Sequence, residues 1–329
     1  MREVIVIGDV AVDIIVPYPR FLNKERTLVE YPNPRLVGGG TCANTAVAFA
    51  RLGTPVGFLG TVGDDQYGRY ICKDFDQEGV STRGLIIDKE LNTVGVFAFI
   101  DERGERYLWG WPREDQAFKF IDPNKVDMDV VKNAAFVHSS GMAIVHDTSA
   151  RHTIIEVFRQ AQAAGIPTSF DLNLRVDDGK LDESYKAAVL QVMEYSSYVL
   201  GGGDDEFYHL GTGEDWMATA RSFVSENRTI VVRTGKKGCI GLAPDGAVIE
   251  EQSIGNERVD TVGAGDVFNA GFIFGVLRGL KFNDCLRMGN AVSGYTVARV
   301  GARNCPTFSE LKDFLNDNEE DRRLLHALG

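Results

Sequence analysis

Two rhythms of apolar and polar positions alternate along this chain. Short, continuously apolar runs read as buried strands over Val4–Ile7, 56–60, 136–139, 168–172, 198–200 and 230–233. Between them, apolar residues recur every three to four positions, which predicts helices. These cover 43–52, stopped by Gly53, and Gln66–Glu78, ending at Gly79, with others near 149–164, 183–195 and 214–225. The last third is mostly helical, over 266–278, 283–298 and 308–316. Strands alternating with helices of this length predict an α/β fold of three layers, a central mostly parallel sheet flanked by helices. Two stretches break the rhythm. Residues 10–37 are rich in Pro and extended residues, and 93–111 reads as a hairpin turning at Glu102-Arg103-Gly104. Together they predict a small sheet apart from the main one.

The helix over 266–278 is preceded by Asp260-Thr261-Val262-Gly263-Ala264-Gly265-Asp266. Small residues leading into a helix N-terminus make an anion site, because unpaired N–H groups and the helix dipole both favour negative charge. A carboxylate at that place opposes a bound phosphate unless it takes a proton from the attacking hydroxyl. The string therefore reads as a phosphoryl-transfer site with Asp266 as general base. Gly-Ala-Gly-Asp alone fits an ordinary capped helix equally well.

Composition narrows the field. The chain has 329 residues, 44% hydrophobic and 25% charged, which suits one globular domain. A net charge of −12 argues against nucleic acid or an anionic membrane as partner. Cys42, Cys72, Cys239, Cys285 and Cys305 are scattered without a Cys-x-x-Cys pair, so neither disulfides nor a zinc site is expected. The opening Arg2-Glu3-Val4-Ile5 is too short and too acidic for a signal peptide, and no apolar run is long enough to cross a bilayer. A cytoplasmic protein is expected. No Walker-type phosphate loop is present. Gly38-Gly39-Gly40-Thr41-Cys42-Ala43 matches the dinucleotide fingerprint, but Tyr31-Pro32-Asn33-Pro34-Arg35 before it is poor strand material. A nicotinamide-dependent oxidoreductase is thus a distant alternative. A non-catalytic sugar-binding module is another, and it has no use for the anion site.

The string from Asp260 to Gly271 resembles the C-terminal signature of the ribokinase-like (PfkB) carbohydrate kinases. Gly38 through Gly53 resembles their N-terminal signature, and both lie in the expected order. The resemblance spans nearly the whole chain. It implies a ribokinase-like fold in which residues 1–329 form a single kinase domain. A β-sheet lid, formed by about 11–37 and 92–113, would cover the sugar and often makes a homodimer contact. ATP is the implied co-substrate, with Mg²⁺ and K⁺ as the implied metal ions. Gly263, Ala264 and Gly265 would offer N–H groups to the transferring phosphoryl, and Asp260 with the Val262 carbonyl would hold a monovalent cation. Asp260 alone also reads as a solvated turn residue.

On the sugar side the resemblance implies Asp13, Gly39, Gly40 and Asn44, although Asn44 alone reads equally as an N-cap. Thr234, Gly235 and Gly238 match the segment under the nucleotide. Asn290 matches an adenine contact, yet small residues around it read equally as a packing face. Departures carry information. Where the family has Asn-x-x-Glu for magnesium-bound water, this chain has Gly203-Asp204-Asp205-Glu206, keeping only the Glu. Thr41 stands where ribokinases carry Lys, and Asp171-Leu172-Asn173-Leu174-Arg175 is similar to a motif of fructokinases and 2-keto-3-deoxygluconate kinases. Strand alternation places Trp109, Trp111 and Arg113 on one face, where an indole and a guanidinium would close over the ligand, although aromatic residues on a hairpin read equally as lid packing or a dimer contact. With Arg175 they favour a ketohexose or six-carbon sugar acid, ribose second and nucleosides third.

Overall fold

A computed structural model describes residues 2–17, 33–100, 106–110, 115–211, 213, 215–255, 258–317 and 319–328. In chain order its strands are β1 Val4–Ile7, β2 Ala11–Pro17, β3 Arg35–Gly39, β4 Val56–Gly63, β5 Ser81–Asp88, β6 Gly95–Ile100 and β7 Arg106–Gly110. They continue with β8 Phe136–Ser140, β9 Thr168–Asp171, β10 Tyr198–Gly202, β11 Thr229–Arg233, β12 Cys239–Leu242 and β13 Val248–Glu251. Helices of nine residues or more are α1 Thr41–Arg51, α2 Gln66–Glu78, α3 Ser149–Ala163, α4 Glu183–Glu194, α5 Ala264–Leu277, α6 Phe282–Val297 and α7 Phe308–Asn316.

The large sheet has the order β13-β12-β11-β10-β9-β8-β1-β4-β5 and is parallel except for β12 and β13. Its inner strands are covered on both faces, which is why β1 reads Val-Ile-Val-Ile with all four residues buried. Two parts of this sheet escape the hydrophobic pattern. Strand β5 lies at the edge, carries the exposed Arg83, and places Gly84 where any side chain would overlap Leu59. The antiparallel pair β12–β13 is held by Ile230-to-Leu242 and Leu242-to-Val248 register, and the residues between are short and mixed.

The small sheet, in the order β3-β2-β6-β7, joins the two irregular stretches, as their composition predicts. The expected turn at Glu102–Gly104 lies outside the described residues. Helix α1 begins two residues earlier than its apolar pattern suggests. Its cap comes from 32 residues away: the Asp9 carboxylate accepts from the Thr41 N–H at 2.7 Å and the Cys42 N–H at 3.2 Å. Helices α5 and α6 pack closely because Gly271 and Gly289 remove the atoms that would otherwise strike Met288, Val292 and Phe268.

One cap also anchors the small sheet. Asp65, before α2, accepts from the Tyr67 and Gly68 N–H groups through one oxygen and from the Thr93 N–H through the other. Thr93 leads into β6. Asp65→Ala is expected to lower unfolding free energy by about 1–2 kcal/mol. Urea denaturation with an unchanged midpoint would contradict this anchoring.

Candidate active site

The carboxyl ends of the parallel strands gather the chemistry. Asp9 follows β1, Ser140 ends β8, Asp171 ends β9, Gly202 ends β10 and Arg233 ends β11. Crevices at that edge are where open α/β sheets place ligands. Helix α5 starts there too. Its N-cap, Gly263, has φ of 74°, a left-handed conformation that favours glycine, and a side chain would collide with Ala302. The first N–H groups of a helix lack intrahelical acceptors, so this end carries free donors. The Ala264 N–H is the exception among the predicted donors, turning back to the Thr261 carbonyl at 3.2 Å.

Asp266 sits in that first turn and is buried, 6% exposed. Burial pushes its carboxyl well above the usual carboxylate range. The Asn44 amide, donating at 2.9 Å, acts in the opposite direction, while the negative charges of Asp171 and Asp9 add to the rise. An elevated, desolvated carboxylate is a stronger base than one in water. Thr45 fixes the backbone beside it, donating its hydroxyl to the Asp266 carbonyl at 3.1 Å.

Behind the helix start lies a buried ionic cluster that the sequence reading missed. The Arg233 guanidinium donates to Asp171 at 2.6 Å, Glu206 at 3.2 Å, Asn269 at 2.9 Å and the Gly265 carbonyl at 3.4 Å. Asn269 closes the ring by donating to the other Asp171 oxygen at 2.9 Å. Burial works against the charge on Arg233, but Asp171 and Glu206 hold it firmly protonated. Glu206 is pushed up to about 7, first by burial, with Arg233 lowering it and Asp171 raising it. The available signal was an arginine closing an apolar strand, Thr229-Ile-Val-Val-Arg233, where buried charge requires a partner.

Glu206 also accepts from the Leu174 N–H at 2.9 Å and the Gly202 N–H at 2.5 Å. Both its oxygens are thus engaged before any metal arrives. The departure at Gly203 has a steric cause, since a side chain there would press on the Trp216 indole. Asp260 is buried, accepting from the Val262 N–H at 3.0 Å and the Gly301 N–H at 2.6 Å, and so fastens the loop before α5. Val262 is 40% exposed. Among the described residues no cluster of three or more His, Cys, Asp or Glu is arranged to hold a metal. Magnesium that arrives on nucleotide phosphates needs no such cage.

On the sugar side, Gly39 faces Asp13 so closely that a side chain would overlap the carboxylate, and Gly40, at φ of 95°, abuts the Val10 backbone. Asn44 is brought to Asp266 rather than left to cap its own helix. Thr41 donates to Asp9 at 2.8 Å and lies 2.7 Å from the Ser140 hydroxyl, which occupies it within the protein. Arg175 is exposed, its Nε 3.1 Å from the Met142 sulfur. Trp111 and Arg113 lie outside the described residues. Trp109 corrects an expectation: it pairs with Phe97, which neighbours Ile14, so it stands on the face opposite Asp13. There it stacks on Phe97 at 5.7 Å.

On the nucleotide side, Thr234, Gly235 and Gly238 form the turn after β11, with Thr234 N–H donating to the Gly238 carbonyl at 2.8 Å. Gly235 and Gly238 have φ of 59° and 103°, and a side chain on Gly238 would strike the Glu251 carbonyl. Asn290 departs from its expected role. It is 5% exposed and its amide donates to the Glu251 and Gln252 carbonyls at 3.1 and 3.0 Å, tying β13 to α6. Its amide hydrogens are spent inside the protein.

Three kinds of likeness to known proteins bear on the family and the fold. The family model described as pfkB family carbohydrate kinase matches residues 1–308. A 5-dehydro-2-deoxygluconokinase of Shouchella clausii is 27% identical over 322 residues, covering 96% of each chain. An ATP-dependent ribose-1-phosphate kinase of Halopiger xanaduensis is 31% identical, covering 86% of this chain and 88% of its own. The fold matches an E. coli protein assigned to ribokinase II, in complex with ATP and Mg²⁺, at a TM-score of 0.82 and 22% identity, covering 97% of this chain and all of the other.

Removing the charge at the centre of the cluster leaves two buried carboxylates without a counter-ion. Arg233→Met is expected to destabilise the protein by about 3–5 kcal/mol near neutral pH. The sign of the pH dependence follows from Glu206, already raised to about 7. Arg233 lowers that value, so without it Glu206 keeps its proton to higher pH; above about 7 the folded variant binds more protons than the folded wild type, and the loss grows as pH rises. Thermal unfolding from pH 6 to 8.5 reads this directly, and a penalty independent of pH would contradict it.

Proposed function

The chain belongs to the pfkB family of carbohydrate kinases, and from that premise we propose that it transfers the γ-phosphate of ATP to a hydroxyl of a six-carbon sugar acid or ketohexose, with Asp266 as general base. It is a phosphotransferase acting on a sugar hydroxyl. The observation that carries the mechanism is the buried Asp266 carboxylate in the first turn of α5. In this reading the acceptor hydroxyl gives its proton to Asp266 as its oxygen attacks the γ-phosphorus. The N–H groups of Gly263 and Gly265, with the helix dipole, stabilise charge on the transferring phosphoryl. ATP lies along the Thr234–Gly238 turn, and Mg²⁺ enters with it. Glu206, through Arg233, shapes the ground beneath the phosphates, and Asp260 with the Val262 carbonyl would hold K⁺, which would add positive charge beside the anion site.

Asp13, Gly39, Gly40 and Asn44 bind the sugar beneath the small sheet, which acts as a lid. The opposite face, carrying Phe97 and the exposed Trp109, suits a homodimer contact. The name of the Shouchella relative supports a keto sugar acid as substrate, and Arg175 offers a planar fork for a carboxylate. A phosphorylated pentose is the second reading, favoured by the name of the Halopiger relative.

Asp266→Asn is expected to cut sugar-dependent ADP release by at least about 10²-fold while ATP still binds. Near-wild-type turnover in that variant would remove the base assignment. A panel of 5-dehydro-2-deoxygluconate, 2-keto-3-deoxygluconate, fructose, ribose and ribose 1-phosphate reads the substrate. Highest kcat/KM on a sugar acid, lowered by Arg175→Ala, is expected; highest kcat/KM on ribose 1-phosphate would select the second reading. Full turnover in a chelated, magnesium-free assay would refute the role given to Mg²⁺.

A further inference from the structure

Asp266 touches one side chain that is itself held by another charged pair. Asn44 Nδ2 donates to the Asp266 carboxylate at 2.9 Å, and Asn44 Oδ1 accepts from Arg303 Nε at 2.9 Å. The Arg303 guanidinium in turn donates to Asp74 on α2 at 2.9 Å. Both side chains of that ion pair are mostly buried, 13% and 16% exposed. They lie directly under Gly38 of β3, where any added side chain would meet the Asp74 carboxylate and the Arg303 guanidinium. The chain of contacts therefore runs from α2, beneath the sheet that carries Asp13, to the carboxylate on α5.

A side-chain amide has a donor end and an acceptor end, and half a turn about its last bond exchanges them. With its oxygen toward Asp266, Asn44 would repel the carboxylate. A guanidinium has donors only, so the bond from Arg303 requires the oxygen of Asn44 on its own side. We propose that Arg303 is a positioning residue, fixing the Asn44 amide so that its nitrogen, and not its oxygen, faces the Asp266 carboxylate.

The turn bearing Arg303 reaches the same loop at two other points. Gly301 N–H donates to Asp260 at 2.6 Å, and Ala302 fills the space that a side chain on Gly263 would need. One short turn thus braces the residues before α5, its N-cap and, through Asn44, its carboxylate. The groups that face Asp266 are Asp9 after β1, Asp171 at the end of β9, Arg233 at the end of β11 and Asn44 on α1. Asn44 is the direct hydrogen-bond donor to the carboxylate, and Arg303 governs that donor without touching Asp266.

The inference rests on Asp266 acting as the base, and its test separates the two claims. With saturating Mg-ATP and the preferred sugar, Arg303→Met is expected to lower kcat by about tenfold, the scale of losing one hydrogen bond to a charged group. The KM for ATP should stay the same. Without the fixed donor Asp266 holds its proton more tightly, so the acidic limb of the kcat/KM profile should move to higher pH. Arg303→Lys, still a pure donor, should keep the limb of the wild type. Asp74→Asn, which loosens the guanidinium, should move it the same way by less and serves if Arg303→Met does not fold. Variants that lose thermal stability but keep the wild-type kcat and acidic limb would overturn the proposal. If Asp266→Asn abolishes turnover while the Arg303 and Asp74 variants behave as wild type, only this inference fails; if Asp266→Asn stays active, the base assignment fails first.

Discussion

Burying several carboxylates at one end of a parallel sheet is the constraint around which this molecule is organised. Asp9, Asp171, Glu206 and Asp266 all lie at or near the carboxyl ends of the strands, each mostly buried. Left unpaired, such groups would protonate or draw water into the core. Each receives a different answer. Asp9 is absorbed by the first N–H groups of α1 and the Thr41 hydroxyl. Asp171 and Glu206 share one guanidinium. Asp266 receives only a neutral amide, that of Asn44, as its direct side-chain donor.

The same constraint bears on the candidate anion site at the start of α5. A helix N-terminus attracts negative charge, and α5 presents its N-terminus at the edge where Arg233 reaches the Gly265 carbonyl. Arg233 is paired with Asp171 and Glu206, so a phosphate bound there would be attracted chiefly by backbone N–H groups whose position is set by packing. Packing is strict here. Ala302 excludes a side chain from Gly263, and the guanidinium of Arg233 lies close beside Gly265. Rigid donors stabilise a charged transition state without reorganisation at the moment of transfer.

Much of this was legible in the chain. The buried runs at β1, β8, β9, β10 and β11 and the helical period of α2 through α6 follow from side-chain patterning, and Gly263 marks where α5 begins. What escaped the reading depends on partners distant in sequence. Strand β5 is an edge strand with Arg83 and Gly84 in it, so its pattern is weak. The start of α1 is set by Asp9 across the fold, and no local cap marks it. Arg233 looks like the ordinary end of a strand until Asp171, Glu206 and Asn269 are placed around it. Asn290 shows the reverse: a polar residue that suggests a ligand contact is consumed by backbone carbonyls of the protein. Trp109 shows another limit: alternation does not say which of a strand's two faces is shared with Asp13.

A ternary complex with a non-hydrolysable ATP analogue, Mg²⁺ and the sugar that gives the highest turnover tests the account most directly, by locating the acceptor hydroxyl. The account places that oxygen within about 3 Å of the Asp266 carboxylate, with the γ-phosphate over the N–H groups at the start of α5. An acceptor hydroxyl bound instead to Asp13 or Asp171, out of reach of the Asp266 carboxylate and with no phosphate at the helix, would contradict it.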